Sequence, residues 1–329
     1  MKKHLKDIII ILIFVLFLTV SYVYTPSSVK MLHKKIEQTN PLNLNKDRLN
    51  LIAEYNARLY RGLPTSVPKL YFYWHSNQRK LSDLRIKEAI EEIKNSQIEP
   101  GKIRVWSLLN MGVVIKTDQH TIAIDTANLP FSQAHNNLVN ITDIFITSHD
   151  DGDHFDPSLL KKALKENKKV VLLDGLVINS PKPENVINLK SGNTQNINGV
   201  EITAYQTDHR GDGNFNEPSA LYVIKVDGFK LLHTGDGRDF KNKDEEERVY
   251  GMKDFDILLV NIMIHPYNIR DLKPKMLIPL HLYKFMSGKD LYQQSTIETA
   301  KEIYNQYETD LQKIEKVYLL PGESVIYPF

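Results

Sequence analysis

Apolar and polar positions alternate with a different period in different parts of the chain. Residues Ile8 to Tyr24 are apolar on every face and carry no charge, and Lys2, Lys3 and Lys6 precede them. A run of this kind is at the short end of the ~17–25 residues that cross a bilayer as a helix. Basic residues ahead of it stay on the cytoplasmic side, which places the remainder outside the membrane. Residues 1–24 therefore read as a single-pass anchor in the cell membrane with an extracytoplasmic domain behind it. The alternative is a cleaved signal and a secreted protein, but the flank from Ser21 to Pro26 has no clean small-x-small site. Residues 25–45 are rich in Lys, Asn and Ser and read as a loosely structured polar tether.

Helical spacing follows over residues 46–101. Leu49, Ile52, Tyr55 and Leu59 recur on one face between Lys46 and Tyr60, and Gly62 and Pro64 end that pattern. A second helix is predicted from Ser82 to Lys94, with Ser82 as N-cap, Asp83 in the first turn and an apolar stripe of Ile86, Ala89, Ile90 and Ile93. Between them the aromatic cluster Leu70 to His75 is expected to pack this extension onto the main domain, with His75 as a polar tip.

From residue 102 onward short β-branched runs take over. Ile103–Leu108, Val113–Lys116 and Thr121–Asp125 predict an antiparallel meander, with His120 exposed on a turn. Further strands are expected at Ile144–Ile146, Val170–Leu173, Val200–Tyr205, Leu221–Val226, Phe229–His233, Asp256–Val260, Met276–Leu280 and Val317–Leu320. Helices are expected at Pro157–Lys168 and Thr296–Tyr307. The alternation is that of an α/β domain over 102–329.

One strand ends in chemistry. Ile144 to Ile146 runs into His149, Asp151, Asp153 and His154, two imidazoles and two carboxylates within six residues, with Gly152 to let the loop fold sharply. This density of N and O donors suits one or two divalent cations. His209, Asp236 and His281 each follow a later β-like run.

The segment His149-x-Asp-x-Asp-His, with those three later residues in order, resembles the His-x-His-x-Asp-His signature of the metallo-β-lactamase-fold hydrolases. The resemblance covers Ile103 to the C-terminus and implies a four-layer αββα sandwich holding two divalent metal ions. It implies that His149, Asp151 and His209 bind one metal, that Asp153, His154 and His281 bind the other, and that Asp236 bridges them. It further implies a hydrolase using a metal-bridged hydroxide to cleave an ester, lactone or phosphodiester bond. Thr234-Gly235-Asp236 with the late Pro279-Leu280-His281 is most similar to the branch of sugar-phosphate lactonases and N-acyl phosphatidylethanolamine phospholipases D, so a small molecule or a lipid is the expected substrate.

Asp153 and Asp236 belong to the implied catalytic group. The proton donor is sought among His233, His265, Tyr267 and Tyr283, with His265 carried as the candidate because a loop brings it toward the pocket. Asp151 stands where the family usually has its second histidine. Zinc is the expected metal, and this extra oxygen donor opens the site to manganese or iron. Two other readings stay open: a redox enzyme like the flavodiiron proteins, and a binding module with one decayed metal site.

Composition narrows the options. With 42% hydrophobic residues in 329, the chain can bury a full-sized core, and a net charge of +2 gives no reason to expect a nucleic-acid partner. It has no cysteine, so every metal donor must come from His, Asp or Glu and no thiol nucleophile exists. No Gly-x-Ser-x-Gly elbow, phosphate-cradling glycine loop or His-Glu-x-x-His helix is present.

Overall fold

The computed structural model describes residues 26–42, 48, 51, 83–127, 134–180, 182–209, 213, 215–217, 219–261, 271–281 and 314–328. The uncharged run Ile8–Tyr24, most of the Lys46–Tyr60 helix, the aromatic cluster Leu70 to His75 and the Thr296–Tyr307 helix lie outside them. Among the described residues no helix is long and apolar enough to cross a membrane.

Fourteen strands are described, in two seven-stranded sheets. The first holds β1 (Ile103–Ser107), β2 (Val113–Lys116), β3 (Thr121–Ile124), β4 (Ile144–Thr147), β5 (Lys169–Leu173), β6 (Val186–Leu189) and β14 (Ser324–Tyr327), in the order β14-β1-β2-β3-β4-β5-β6. The second holds β7 (Thr194–Ile197), β8 (Val200–Thr207), β9 (Ser219–Val226), β10 (Phe229–His233), β11 (Ile257–Asn261), β12 (Met276–Leu280) and β13 (Glu315–Lys316), in the order β13-β12-β11-β10-β9-β8-β7. The expected meander is present, since β1–β2 and β2–β3 pair antiparallel. Beyond it β3, β4 and β5 run parallel, and each is buried along nearly its whole length, as parallel strands covered on both faces require.

Side-chain alternation in the second sheet sorts its residues into two cores. Ala220, Tyr222, Ile224, Leu231, Ile257 and Leu259 join the large core shared with the first sheet. Their neighbours Leu221, Val223, Leu232, Leu258 and Val260 face the other way, into a second core. That outer core is covered by Leu32 and Ile36 of α1 (Pro26–Glu37) and by Val249 of α4 (Lys243–Gly251). On the first sheet, α2 (residues 83–95) and α3 (Pro157–Lys165) add Ile86, Ile90, Ile93, Leu159, Leu160 and Leu164 to the large core. The result is helices, sheet, sheet, helices.

Three expectations need correction. The stretch expected to be a loose tether forms α1: burying Leu32 and Ile36, each worth about 1.5–3 kcal/mol, outweighs the polar composition around them. Val317–Leu320 was expected as a strand, but the pairing with β12 ends at Lys316 and continues only as Val317 N–H to Leu277 O, 2.9 Å. His120 is not an exposed turn residue. Its ring bridges Asp227 Oδ2 (2.8 Å) and Asn198 O (2.8 Å), so one imidazole joins a hairpin of the first sheet to two hairpins of the second.

Candidate metal centre

Strand direction brings the candidate donors together. β10, β11 and β12 are mutually parallel, and β8 is antiparallel to β9, which is antiparallel to β10. The C-terminal ends of β8, β10 and β12 therefore share one edge of the second sheet, and His209, Asp236 and His281 follow those ends. β4 delivers His149 to His154 from the first sheet. There the backbone turns sharply, with the N–H groups of His154 and Phe155 both donating to Asp151 O (2.9 and 2.8 Å). Asp156 then caps α3 by accepting from Ser158 N and Leu159 N, which fixes where the loop ends. Close approach of the sheets needs Gly235, whose φ is +53° and whose added Cβ would lie 2.7 Å from Ser148 Cβ.

All seven candidate donors converge. The His149 ring centroid is 4.0 Å from that of His154 and 4.7 Å from that of His209. Asp236 Oδ2 lies 3.2 Å from His281 Nε2, 3.5 Å from His154 Nε2 and 3.7 Å from His209 Nε2. Asp151 Oδ2 is 3.3 Å from His209 Nε2 and 3.7 Å from His149 Nε2, and Asp153 Oδ2 is 3.8 Å from His154 Nε2. Three sets of donor atoms are compact enough to hold an ion: His149, Asp151 and His209; Asp153, His154 and His281; and His149, His154 and Asp236.

The donor set fits divalent cations. His149 Nε2 is buried with no hydrogen-bond partner among the described residues, which a bare imidazole nitrogen rarely tolerates unless something else is to bind it. Each buried ring is also oriented from behind. Asp125 accepts from Ser148 N (2.7 Å) and Ser148 Oγ (2.6 Å), and its Oδ2 lies 3.0 Å from His154 Nδ1. Ser148 Oγ in turn lies 2.9 Å from His149 Nδ1. With both Nδ1 atoms engaged, both Nε2 atoms are left facing the cluster, the arrangement that metal-binding histidines use. Asn261 Nδ2 donates to Asp236 Oδ1 (2.8 Å), so Oδ2 is the oxygen left for the imidazoles.

Electrostatics keep Asp236 and Asp151 ionised. Burial opposes charge on Asp236, yet the imidazoles of His154 and His281 hold its carboxyl well below the usual range. Asp151 is lowered first by its contact with His149. His209 is raised by its interaction with Asp236, and His154 is raised despite burial by Asp236 and Asp125. Positive charge is thus favoured at the centre of the cluster, whether a proton or a metal ion supplies it.

Of the proton-donor candidates, His265, Tyr267 and Tyr283 lie outside the described residues. His233 is fully buried, donates from Nε2 to Met111 O (3.1 Å) and accepts at Nδ1 from Gly235 N (3.2 Å), so both nitrogens are taken by backbone. It is a structural residue. Sequence reasoning missed Asp125, Ser148, Asn110 and Asn261. Asp125 left a trace, as an acid closing the run Thr121–Ile124, and Ser148 as the end of the strand ahead of His149.

A family model described as the beta-lactamase superfamily domain matches residues 108–281, more than half of the chain and the span that carries all seven donors. The chain belongs to this superfamily. Its fold and two-sheet order are those of the metallo-β-lactamase group within it. Curated relatives are named metal-dependent hydrolases. A UPF0173 metal-dependent hydrolase of Thermococcus onnurineus is 28% identical over 42% of this chain and 66% of its own length, so the match spans just under two thirds of that protein. Its counterpart in Pyrococcus horikoshii is 26% identical over 56% of this chain and 80% of its own. Among solved structures, the metallo hydrolase Igni18 of Ignicoccus hospitalis superposes with a TM-score of 0.51 at 17% identity, covering 69% of this chain and 99% of that one, a likeness of fold.

Proposed function

We propose that this superfamily member is a dinuclear metal-dependent hydrolase of ester, lactone or phosphodiester bonds, held at the outer face of a membrane by residues 1–24. The observation that carries the reading is Asp236 Oδ2, a single ionised oxygen 3.2–3.7 Å from three imidazole nitrogens that belong to two different donor sets. In this reading His149, Asp151 and His209 hold one cation, Asp153, His154 and His281 hold the second, and Asp236 serves both. Bound there, two divalent cations would lower the pKa of water to about 7 and polarise the bond to be cleaved. The chain's own part is to fix that geometry: Asp125 and Ser148 orient His154 and His149, and Asn261 turns Asp236.

The names of the curated relatives support the reaction class. Lys2, Lys3 and Lys6 ahead of Ile8–Tyr24 support the membrane side. A panel of esters, lactones and phosphodiesters, assayed with and without a chelator, tests the chemistry. Hydrolysis that stops on chelation and returns with added metal is expected; turnover indifferent to chelator would end the proposal. Protease added to intact cells should digest the domain, and protection until lysis would refute the topology.

A further inference from the structure

Asn110 stands on the loop between β1 and β2, and every neighbour of that loop holds it in place. Leu108 N donates to Gly112 O (2.8 Å) and Gly112 N to Leu109 O (2.6 Å), closing the turn. Met111 O receives the ring of His233 (3.1 Å), Asn110 O receives His281 N (3.3 Å), and Ser107 exchanges backbone hydrogen bonds with Gly322 and Glu323. Asn110 itself has φ 52° and its neighbour His281 has φ 60°, two non-glycine residues in the left-handed region on facing loops. Asn and His are among the non-glycine residues that enter this region most often, so the two loops hold it readily.

The carboxamide is aimed into the donor cluster. Its Nδ2 lies 2.5 Å from Asp153 Oδ2 and 3.3 Å from His154 Nε2, in the space between two of the donors assigned above to the second cation. The residue is about 5% exposed, and its Oδ1 is buried with no hydrogen-bond partner among the described residues. A buried carbonyl oxygen left unpaired while its nitrogen faces two metal-type donors calls for an explanation. With a cation between Asp153 and His154, the amide hydrogens would face positive charge. The two ends of a carboxamide have the same shape, so a half-turn about the last side-chain bond replaces those hydrogens with Oδ1.

We propose that Asn110 is a further metal ligand, giving its Oδ1 to the cation held by Asp153, His154 and His281. This rests on the dinuclear reading above. A neutral oxygen added to a set with one carboxylate and two imidazoles raises the share of hard donors without adding charge, which favours manganese or iron over zinc at that position.

The test is titration of the metal-stripped full-length protein with Mn²⁺, following the two binding steps by calorimetry. Asn110→Gly removes the carboxamide while accepting the left-handed backbone, and Asn110→Asp keeps an oxygen and also tolerates that backbone. Asn110→Gly should weaken one of the two steps by about tenfold or more and leave the other unchanged, and Asn110→Asp should restore or exceed wild-type affinity. Circular dichroism melts near wild type will show that both variants fold. Both steps in Asn110→Gly within about twofold of wild type overturn the proposal, because losing a ligand costs more than that. So does an Asn110→Asp variant as weak as Asn110→Gly, which would make the residue an N–H donor that positions Asp153. If the wild type takes up no second equivalent, the dinuclear reading itself fails and this proposal falls with it.

Discussion

Asp151 is the residue at which this chain departs from the signature it resembles. Its side chain is 53% exposed, whereas His149 beside it is 3% exposed, yet its Oδ2 reaches both His149 and His209. A carboxylate held between two imidazoles, with its own pKa lowered by them, is a ready oxygen donor. Asp151→Ala should therefore lose about one metal equivalent, while Asp151→His should keep both and shift preference toward zinc, since imidazole suits zinc better than a further oxygen does. Competition under equal supply of zinc and manganese, with metal content measured, checks this; two equivalents and unchanged preference in Asp151→Ala would remove Asp151 from the site. The seven candidate donors were legible because side chains with metal-binding chemistry follow apolar strands in the order of the signature they resemble. The polar residues around them were not. Ser148, Asn110 and Asn261 are small polar residues at strand ends, where turns use the same residue types for unrelated reasons, and only the fold shows what they face.

Elements were legible where apolar periodicity was strong. The central strands β3, β4, β9, β10, β11 and β12 are nearly all buried and were predicted close to their observed limits. β6 and β7 were not predicted: their sequences VINL and TQNI bury little, because each is an edge strand of its sheet. α4 was hidden for a similar reason, since KDEEERVYG is polar on most faces and is held by the Asn242 cap and the buried Val249. The N-terminal extension is joined to the two-sheet fold in part by two arginines that no periodicity reveals. Arg48 forms a bidentate pair with Glu323 and donates to Tyr318 O, and Arg85 donates to Pro321 O (2.6 Å). Arg48 and Glu323 are 1% and 7% exposed, so Arg48→Ala leaves a buried carboxylate uncompensated and should cost about 3–5 kcal/mol in urea unfolding. A loss under about 1 kcal/mol, the range of exposed pairs, would contradict the assigned burial.

The whole molecule depends on two sheets staying in register, because each supplies part of the donor cluster. Tyr222 OH of β9 donates to Thr147 O at the end of β4 (2.9 Å), which ties the sheets directly beneath the first donor. Global stability has a further buried titratable group in His135, on the 3-10 turn Ala134–Asn140. Burial pushes its imidazole down to about 4, against opposing effects from Asp156 and Asp83, and neither ring nitrogen has a hydrogen-bond partner among the described residues. Between that value and the ordinary 6.5 the unfolded chain binds a proton that the folded chain does not, so stability falls as pH drops through this window. The loss is on the order of 3 kcal/mol by pH 4. Urea midpoints taken at descending pH should show the decline, and His135→Leu should flatten it; an equal decline in that variant assigns the effect elsewhere. The proposed site for two cations around Asp236 is built from the ends of both sheets. Elemental analysis of the purified full-length protein beside Asp236→Ala tests this most directly. Two transition-metal equivalents are expected in the wild type and fewer than one in the variant, whereas a wild type without metal, or a variant that keeps both equivalents, would contradict it.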